Sequence, residues 1–428
     1  MEILSTPMAH QNKTVEYLEK NPYAIGALDI GTGKTLVPII MAVKHKLKTL
    51  IVCPTYLVKN WINEINKHSE GVRVSVLLHE RDYYPLWDTD ICIITYSFVH
   101  KAELLFSWAD QVHFDEAHYL KTMGNIRTEG SHKLIYEWSP GTVGLLSGTP
   151  LENRVYELYS LMSLCYYNPR FKTTPDFLKK FPTHIEFAMQ FSHLKEFEVW
   201  NPKLKTAVTT QKWWGYKNLD ELKQYLEGIY IRFKIDDVME LPEAVDIDVV
   251  VDYKDDPELL EALKQYQSEG ELNGISSAVK KKAAVATAPF SAEYSKNMID
   301  QGILTLVFSD HIESSQIIAK KLGTESIDSQ MDVKRRDILI TEFQEGKRDF
   351  LVGTSGVLGT GHNLQRAQDE VQNDLPWKPT VLDQIRGRIR RKGATGAKCR
   401  YHNIIGTIQY QKIKSLLQEK EEMIKAVL

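Results

Sequence analysis

The sequence predicts an α/β protein of two lobes, each a parallel sheet covered by helices, with a helical insertion in the first. Three observations carry that expectation. The 428 residues exceed the roughly 150 of an ordinary domain and suit two or three cores. Short β-branched runs alternate with helical stretches in two separate blocks, before and after residue 240, and such alternation implies a parallel sheet with both faces covered. Between the blocks, from Glu152 to about Tyr230, the strand signal fades into helical or irregular, aromatic-rich segments.

In the first block the strand candidates are Ala24 to Leu28, Thr49 to Cys53, Val72 to Leu78, Ile91 to Thr95, Val112 to Phe114 and Val143 to Ser147, chosen for short apolar runs rich in β-branched residues. Thr35 to Leu47 and Val58 to His68 read as helices between them. Near Leu241-Pro242 the character changes: Asp246 to Tyr253 alternates as a strand, Asp256 to Tyr266 is helical, and the polar, Lys- and Ala-rich stretch Ser268 to Ala288 reads as a surface insertion. Strands then follow at Ile303 to Phe308, Phe350 to Gly353 and Arg400 to Ile405. The expected division is 1–240 and 241–428, with the insertion at about 152–235.

Apolar residues make up 43% and charged residues 25%, which excludes disordered, collagenous and membrane classes. The 53 basic and 56 acidic side chains leave a net charge of -3, so a polyanion partner would need locally gathered positive charge. Cys53, Cys92, Cys165 and Cys399 are scattered without a CxxC pair, which points to a reducing compartment and to buried, inert thiols. The first residues lack the basic flank and apolar core of a signal peptide, and no apolar run of about 18 residues occurs. The expected location is cytoplasmic, with no membrane association.

Three motifs carry chemistry. Gly31-Thr32-Gly33-Lys34-Thr35 lies between a strand and a helix. Glycines let backbone amides close round phosphates, the helix N-terminus adds partial positive charge, Lys34 can reach the β and γ phosphates, and Thr35 can ligate Mg²⁺. Leu28 stands where the full G-x4-G-K-[ST] spacing has its first glycine. Asp115-Glu116-Ala117-His118 follows an apolar strand, where one carboxylate can hold Mg²⁺ and its neighbour can polarise a water. The third is Gln384 to Arg391, inside a segment from Lys378 to Lys412 with nine basic residues against Asp383 alone, a net +8. Such a run is a solvated face, a nucleic-acid patch or, in an NTPase, a source of guanidinium groups for the γ-phosphate.

The order GTGKT, PTYLVKNW, ITYS, DEAH, SGTPLEN, LVGTSGVLGTGHNL and QIRGRIRR resembles motifs I, Ia, Ib, II, III, V and VI of superfamily 2 helicases, specifically the SWI/SNF-type translocases. The resemblance runs from Gln11 to about Gln418. Trp61 with Glu64, Leu151 to Asn153 followed by Glu157-Leu158, and Trp377-x-Pro379 are family-specific touches. It implies two RecA-like lobes, ATP and Mg²⁺ as ligands, and DNA as partner.

Carried over residue by residue, the resemblance makes Gln11 the glutamine that reads the adenine edge. Gly31, Thr32, Gly33, Lys34 and Thr35 become the phosphate and Mg²⁺ loop, Asp115 the Mg²⁺ holder and Glu116 the water-orienting acid. Arg388 and Arg391 become arginine fingers, with Gln384 and Gly361 lining the cleft, so hydrolysis would need the lobes to close. Ser147 and Thr149 resemble the motif that couples hydrolysis to DNA contact. Thr55, Lys59, Asn60, Thr95, Ser97, Thr354 and Ser355 fall where the family holds one strand's phosphate backbone, which positions without reading sequence. Each taken alone also suits a helix cap or turn.

The segment 280–309, followed by 327–344 with Arg336 and Phe343, resembles the fork-remodelling, or annealing-helicase, branch. The 428 residues include no recognisable chromatin-reading module, which favours a compact bacterial or phage DNA translocase over a nucleosome remodeller. The expected activity is ATP-driven movement on duplex DNA that remodels branched DNA in replication, recombination or repair. The rivals are a strand-separating helicase and a DNA-stimulated ATPase subunit serving as switch or loader. Trp200, Trp213, Trp214 and Tyr216 among four lysines read as base-stacking residues or as rings packing the insertion.

Overall fold

The structure, a computed structural model, describes residues 1–79, 82, 88–102, 107–167, 175–201, 206–251, 277–359, 364–391, 393–394, 396–406 and 408–428. Two compact units divide the chain. One comprises Met1–Leu194, Trp213–Met239 and Met423–Leu428; the other comprises Lys195–Lys212 and Glu240–Glu422. The strands in chain order are β1 (Glu2–Ile3), β2 (Tyr23–Leu28), β3 (Thr49–Cys53), β4 (Ser69–Glu70), β5 (Val74–Leu77), β6 (Ile91–Thr95), β7 (Gln111–Asp115), β8 (Thr142–Ser147), β9 (His193–Asn201), β10 (Thr206–Trp214), β11 (Tyr230–Phe233), β12 (Glu243–Val250), β13 (Thr305–Ser309), β14 (Ser326–Ile327), β15 (Phe350–Thr354), β16 (Asp369–Gln372) and β17 (Lys398–Ile405).

In the first unit a seven-stranded sheet runs β11-β2-β8-β7-β3-β6-β5, with every neighbouring pair parallel. Alternate residues of its strands enter different cores. Ile25, Leu50, Val52, Cys92, Ile94, Val112, Phe114 and Leu145 pack in one; Ala24, Leu28, Ile51, Cys53, Ile91, Ile93 and Leu146 pack in the other. Burial on both faces is why these strands read as continuous apolar runs. The helix Val58–His68 buries Val58, Trp61 and Ile65 along one stripe, as helical periodicity requires. All four cysteines are buried and free.

The second unit holds a six-stranded parallel sheet, β12-β17-β16-β13-β15-β14. Its central β16 is polar, with Asp369, Glu370 and Gln372 all buried. Asp369 accepts hydrogen bonds from Arg400 at 2.7 and 2.6 Å and bonds His402 at 2.9 Å, so two β17 side chains make one of these burials tolerable. Polarity hid this strand from the sequence reading.

Two further expectations are corrected. The stretch read as a surface insertion is, from Ser277 onward, part of the helix Ser277–Asp300, whose Ala283, Ala284 and Ala288 are buried. Its Lys280 side chain is fully buried, pairs with Asp310 at 2.5 Å and lies 5.2 Å from the Trp377 ring centroid. Small and charged residues signal exposure in sequence, but close helix packing and an ion pair bury them here. The insertion after Glu152 is not purely helical, because β9 and β10 form a two-stranded sheet and β11 joins the main sheet. Aromatics there divide: Phe177, Phe181, Phe187 and Phe191 are buried, whereas Trp214 and Tyr216 are 36% and 39% exposed. Asp256 to Tyr266 and Gly361 lie outside the described residues.

Candidate active site

The first-unit site gathers at the C-terminal ends of β2, β7 and β8. After β2 the chain turns through Gly31 and Gly33, at φ +88° and +75°, a region that glycine enters freely. Thr35 is the N-cap of the helix Leu36–His45, so helix amides and their partial positive charge face the turn. Gln11 holds the turn from the helix Ala9–Lys20: its amide donates to the carbonyls of Thr32 and Gly33, each at 3.1 Å, and accepts from the Met8 N–H at 2.8 Å. His10 Nε2 lies 2.8 Å from the Thr32 carbonyl. A β-carbon on Gly33 would come within 2.5 Å of the Gln11 amide nitrogen.

Lys34 reaches across to β7, with its ammonium bonded to Glu116 and 3.5 Å from Asp115 Oδ1. Trp61 Nε1–H donates to Asp115 Oδ2 at 2.9 Å, and the Glu116 N–H donates to Oδ1 at 2.9 Å. Glu116 takes φ +53°, costly for a residue with a side chain and typical of functional sites. His118 Nδ1 stands 3.3 Å from Glu116 Oε2 and 3.1 Å from Ser147 Oγ, which accepts the Thr149 N–H at 3.2 Å. Glu116, Ser147 and Thr149 therefore form one chain of contacts through His118, which the sequence reading quoted within its motif without giving it a role.

Charge in this cluster is unbalanced, with one ammonium facing two buried carboxylates. Burial opposes the Lys34 charge, but Glu116 and Asp115 outweigh it and raise its pKa. Burial would also raise Glu116, yet Lys34 and His118 hold it far below the usual carboxylate range. Burial pushes Asp115 up despite Lys34. The Asp115 carboxylate and the Thr35 hydroxyl are oxygen donors of the kind a hard divalent cation takes.

Beside the acid pair lies a cleft of about 800 Å³, lined by Pro54, Thr55, Tyr56, Tyr96, Ser97, His100, Tyr119 and residues Gly124 to Arg127. Among the described residues its lining carries hydroxyls, His100 and Arg127 but no carboxylate, which suits an anion. It brings together Thr55 and Ser97 from the expected DNA set. Lys59 and Asn60 lie outside the lining, and Thr95 is buried, 2.9 Å from Ser97 Oγ.

In the second unit Thr354 ends β15 and Ser355 follows, both buried. Gln384 lies on the helix Pro379–Arg386. Arg388 Nε donates to the Gly359 carbonyl at 2.9 Å. Two neighbours in the basic run have structural work: Arg386 pairs with Asp246 and lies 4.6 Å from the Tyr401 ring centroid, and Arg390 donates to the Pro242 carbonyl at 2.8 Å. Among the described residues no helix is long and apolar enough to cross a membrane.

Residues 8–287 match the SNF2-related domain, and residues 291–393 match the helicase conserved C-terminal domain. The chain is 26% identical over 396 residues to the SWI/SNF-related matrix-associated actin-dependent regulator of chromatin subfamily A-like protein 1 of Xenopus tropicalis, covering 86% of this chain and 39% of that protein. It is 24% identical to the uncharacterized ATP-dependent helicase YqhH of Bacillus subtilis, covering 99% of this chain and 80% of that one, and 24% identical to the uncharacterized ATP-dependent helicase MG018 of Mycoplasma genitalium, covering 97% and 41%. The chain thus spans about two fifths of the Xenopus and Mycoplasma proteins. Among solved structures, the Sulfolobus solfataricus SWI2/SNF2 ATPase core in complex with dsDNA is similar at a TM-score of 0.45 and 22% identity, covering 100% of this chain and 93% of that one.

Proposed function

The chain belongs to the SNF2-related family, with a helicase conserved C-terminal domain behind the SNF2-related one, and on that premise we propose that it is a DNA-dependent ATPase that translocates along duplex DNA and remodels branched DNA. The observation carrying the ATPase reading is the buried contact of Lys34 with both Asp115 and Glu116 beside the Gly31–Gly33 turn. An entering triphosphate competes for the Lys34 ammonium and for the amides of the turn. Glu116, released from Lys34 and oriented by His118, accepts a hydrogen bond from the attacking water. Thr35 and Asp115 would hold Mg²⁺, which when bound neutralises phosphate charge. Gln11 keeps the turn in shape and exchanges these loop bonds for the adenine edge. Arg388 and Arg391 supply positive charge to the γ-phosphate. Ser147 and Thr149 couple the acid pair to DNA, which Thr55, Lys59, Asn60, Thr95, Ser97, Thr354 and Ser355 hold by its backbone.

The branch-remodelling part rests on the likeness of 280–309 and 327–344 to fork-remodelling translocases. The test is ATP turnover with single-stranded, linear duplex, forked and four-way DNA in parallel. Stronger stimulation by branched DNA than by linear duplex is expected, and equal stimulation reduces the reading to a plain translocase. Unwinding of a forked duplex without triplex displacement would favour a strand-separating helicase. Lys34→Ala and Glu116→Gln are each expected to lower turnover at least a hundredfold while DNA affinity stays within threefold; undiminished turnover in both rejects the site. Arg388→Ala is expected to lower kcat much more than it raises KM for ATP.

A further inference from the structure

The cleft and the acid pair share two residues. Tyr96 lines the cleft with its ring, and its hydroxyl donates to the Asp115 carbonyl at 2.9 Å in a fully buried bond. Tyr119 also lines the cleft, and its backbone N–H donates to the Glu116 carbonyl at 2.9 Å. The two rings stack on each other, with centroids 5.4 Å apart and planes 10° from parallel. The Arg127 guanidinium lies 5.4 Å from the Tyr119 ring centroid and reaches the cleft itself. The Asp115 carbonyl is thus held by the hydroxyl of one stacked ring, and the Glu116 carbonyl by the backbone of the residue that carries the other. Glu116 needs such tethers, because its φ of +53° persists only where the surroundings over-determine it.

We propose that Tyr96 and Tyr119 are positioning residues which convey occupancy of this cleft by a nucleic-acid backbone to the water-orienting Glu116, so that DNA raises turnover at saturating ATP. The proposal rests on the DNA-dependent ATPase reading above. A phosphate drawn to Arg127 and to the Thr55 and Ser97 hydroxyls loads the wall at Tyr119. The stack passes that load to Tyr96, and the two carbonyl bonds pass it to the backbone that aims the Glu116 carboxylate. Neither tyrosine touches the nucleotide.

The experiment measures ATP turnover of the full chain against a titration of linear duplex DNA, alongside duplex affinity by fluorescence anisotropy. Tyr96→Phe keeps the stack on Tyr119 and removes only the bond to the Asp115 carbonyl. Tyr119→Leu removes the stack, and Tyr119→Phe restores a ring in its place. Tyr96→Phe and Tyr119→Leu are expected to lower DNA-stimulated kcat at least fivefold at saturating duplex, with duplex affinity within threefold of the parent; Tyr119→Phe retains at least half of the stimulation. Parental stimulation in Tyr96→Phe overturns the proposal, as does a loss matched by an equal loss of affinity. If Tyr119→Leu does not fold, Tyr96→Phe decides alone. A parent chain that no DNA stimulates overturns the underlying DNA reading, whereas a stimulated parent with indifferent variants overturns only the tyrosine link.

Discussion

Replacing Glu370 by glutamine should stabilise the second unit at alkaline pH and leave it nearly unchanged at acid pH. Glu370 sits on the central strand β16, is 1% exposed, and among the described residues neither carboxylate oxygen has a hydrogen-bond partner. Burial pushes its carboxyl up to about 8, against an ordinary 4.5, although Arg386 draws it down. Between those values the unfolded chain has released a proton that the folded chain still holds, so stability falls as pH rises. The slope approaches 1.4 kcal/mol per pH unit, and the loss levels off above the folded value. Across the window the ceiling is about 5 kcal/mol, of which relaxation of the strand and water entry leave about half. Glutamine has the same shape and no charge to desolvate. Urea unfolding of Glu370→Gln and parent at pH 5, 6, 7 and 8.5, followed by circular dichroism, separates this group from every other titrating one. The two curves should agree within about 1 kcal/mol at pH 5 and diverge by about 2–3 kcal/mol at pH 8.5. Parallel curves over that range would refute the reasoning.

Two further changes probe the nucleotide loop and its support. Gly33→Ala places a β-carbon against the Gln11 amide at a φ of +75°, so nucleotide affinity by fluorescence titration should drop at least tenfold; adding Gln11→Ala relieves the clash but not the backbone strain, and recovers little. Trp61→Phe removes the 2.9 Å bond to Asp115, a hydrogen bond to a charged group worth about 1.5–3 kcal/mol. It should lower the thermal midpoint and raise the Mg²⁺ needed for half-maximal turnover several-fold.

Much of the sheet framework was legible because parallel strands buried on both faces must be apolar: β3 and the helix Val58–His68 fall at the expected bounds. Strands whose burial depends on partners were not legible. The polar β16 relies on Arg400 and His402 from β17, and β11 becomes a strand by pairing with β2 across some 200 residues of chain. The loop lysine and the acid pair could be read as residue types in order, since their chemistry is local to each motif. Trp61 and His118 could be named within their motifs but not given their contacts with Asp115 and Ser147, and Tyr96 and Tyr119 could be given no role. Their parts come from contacts between segments far apart in sequence, and a single tyrosine carries no local mark of the carbonyl it will meet.

The hold of Gln11 on the Thr32 and Gly33 carbonyls bears on how the loop manages without the first glycine of the usual spacing. Leu28 is wholly buried at the end of β2, and there it adds apolar contact where a glycine would add backbone freedom. Before a nucleotide enters, a side chain on a neighbouring helix fixes the turn from outside, so the conformational entropy of shaping it is lost during folding and not on the ligand's arrival. The loop's readiness for phosphate is thereby tied to the packing of the helix Ala9–Lys20, and a mutation that loosens that helix would weaken nucleotide affinity without touching any residue of the loop.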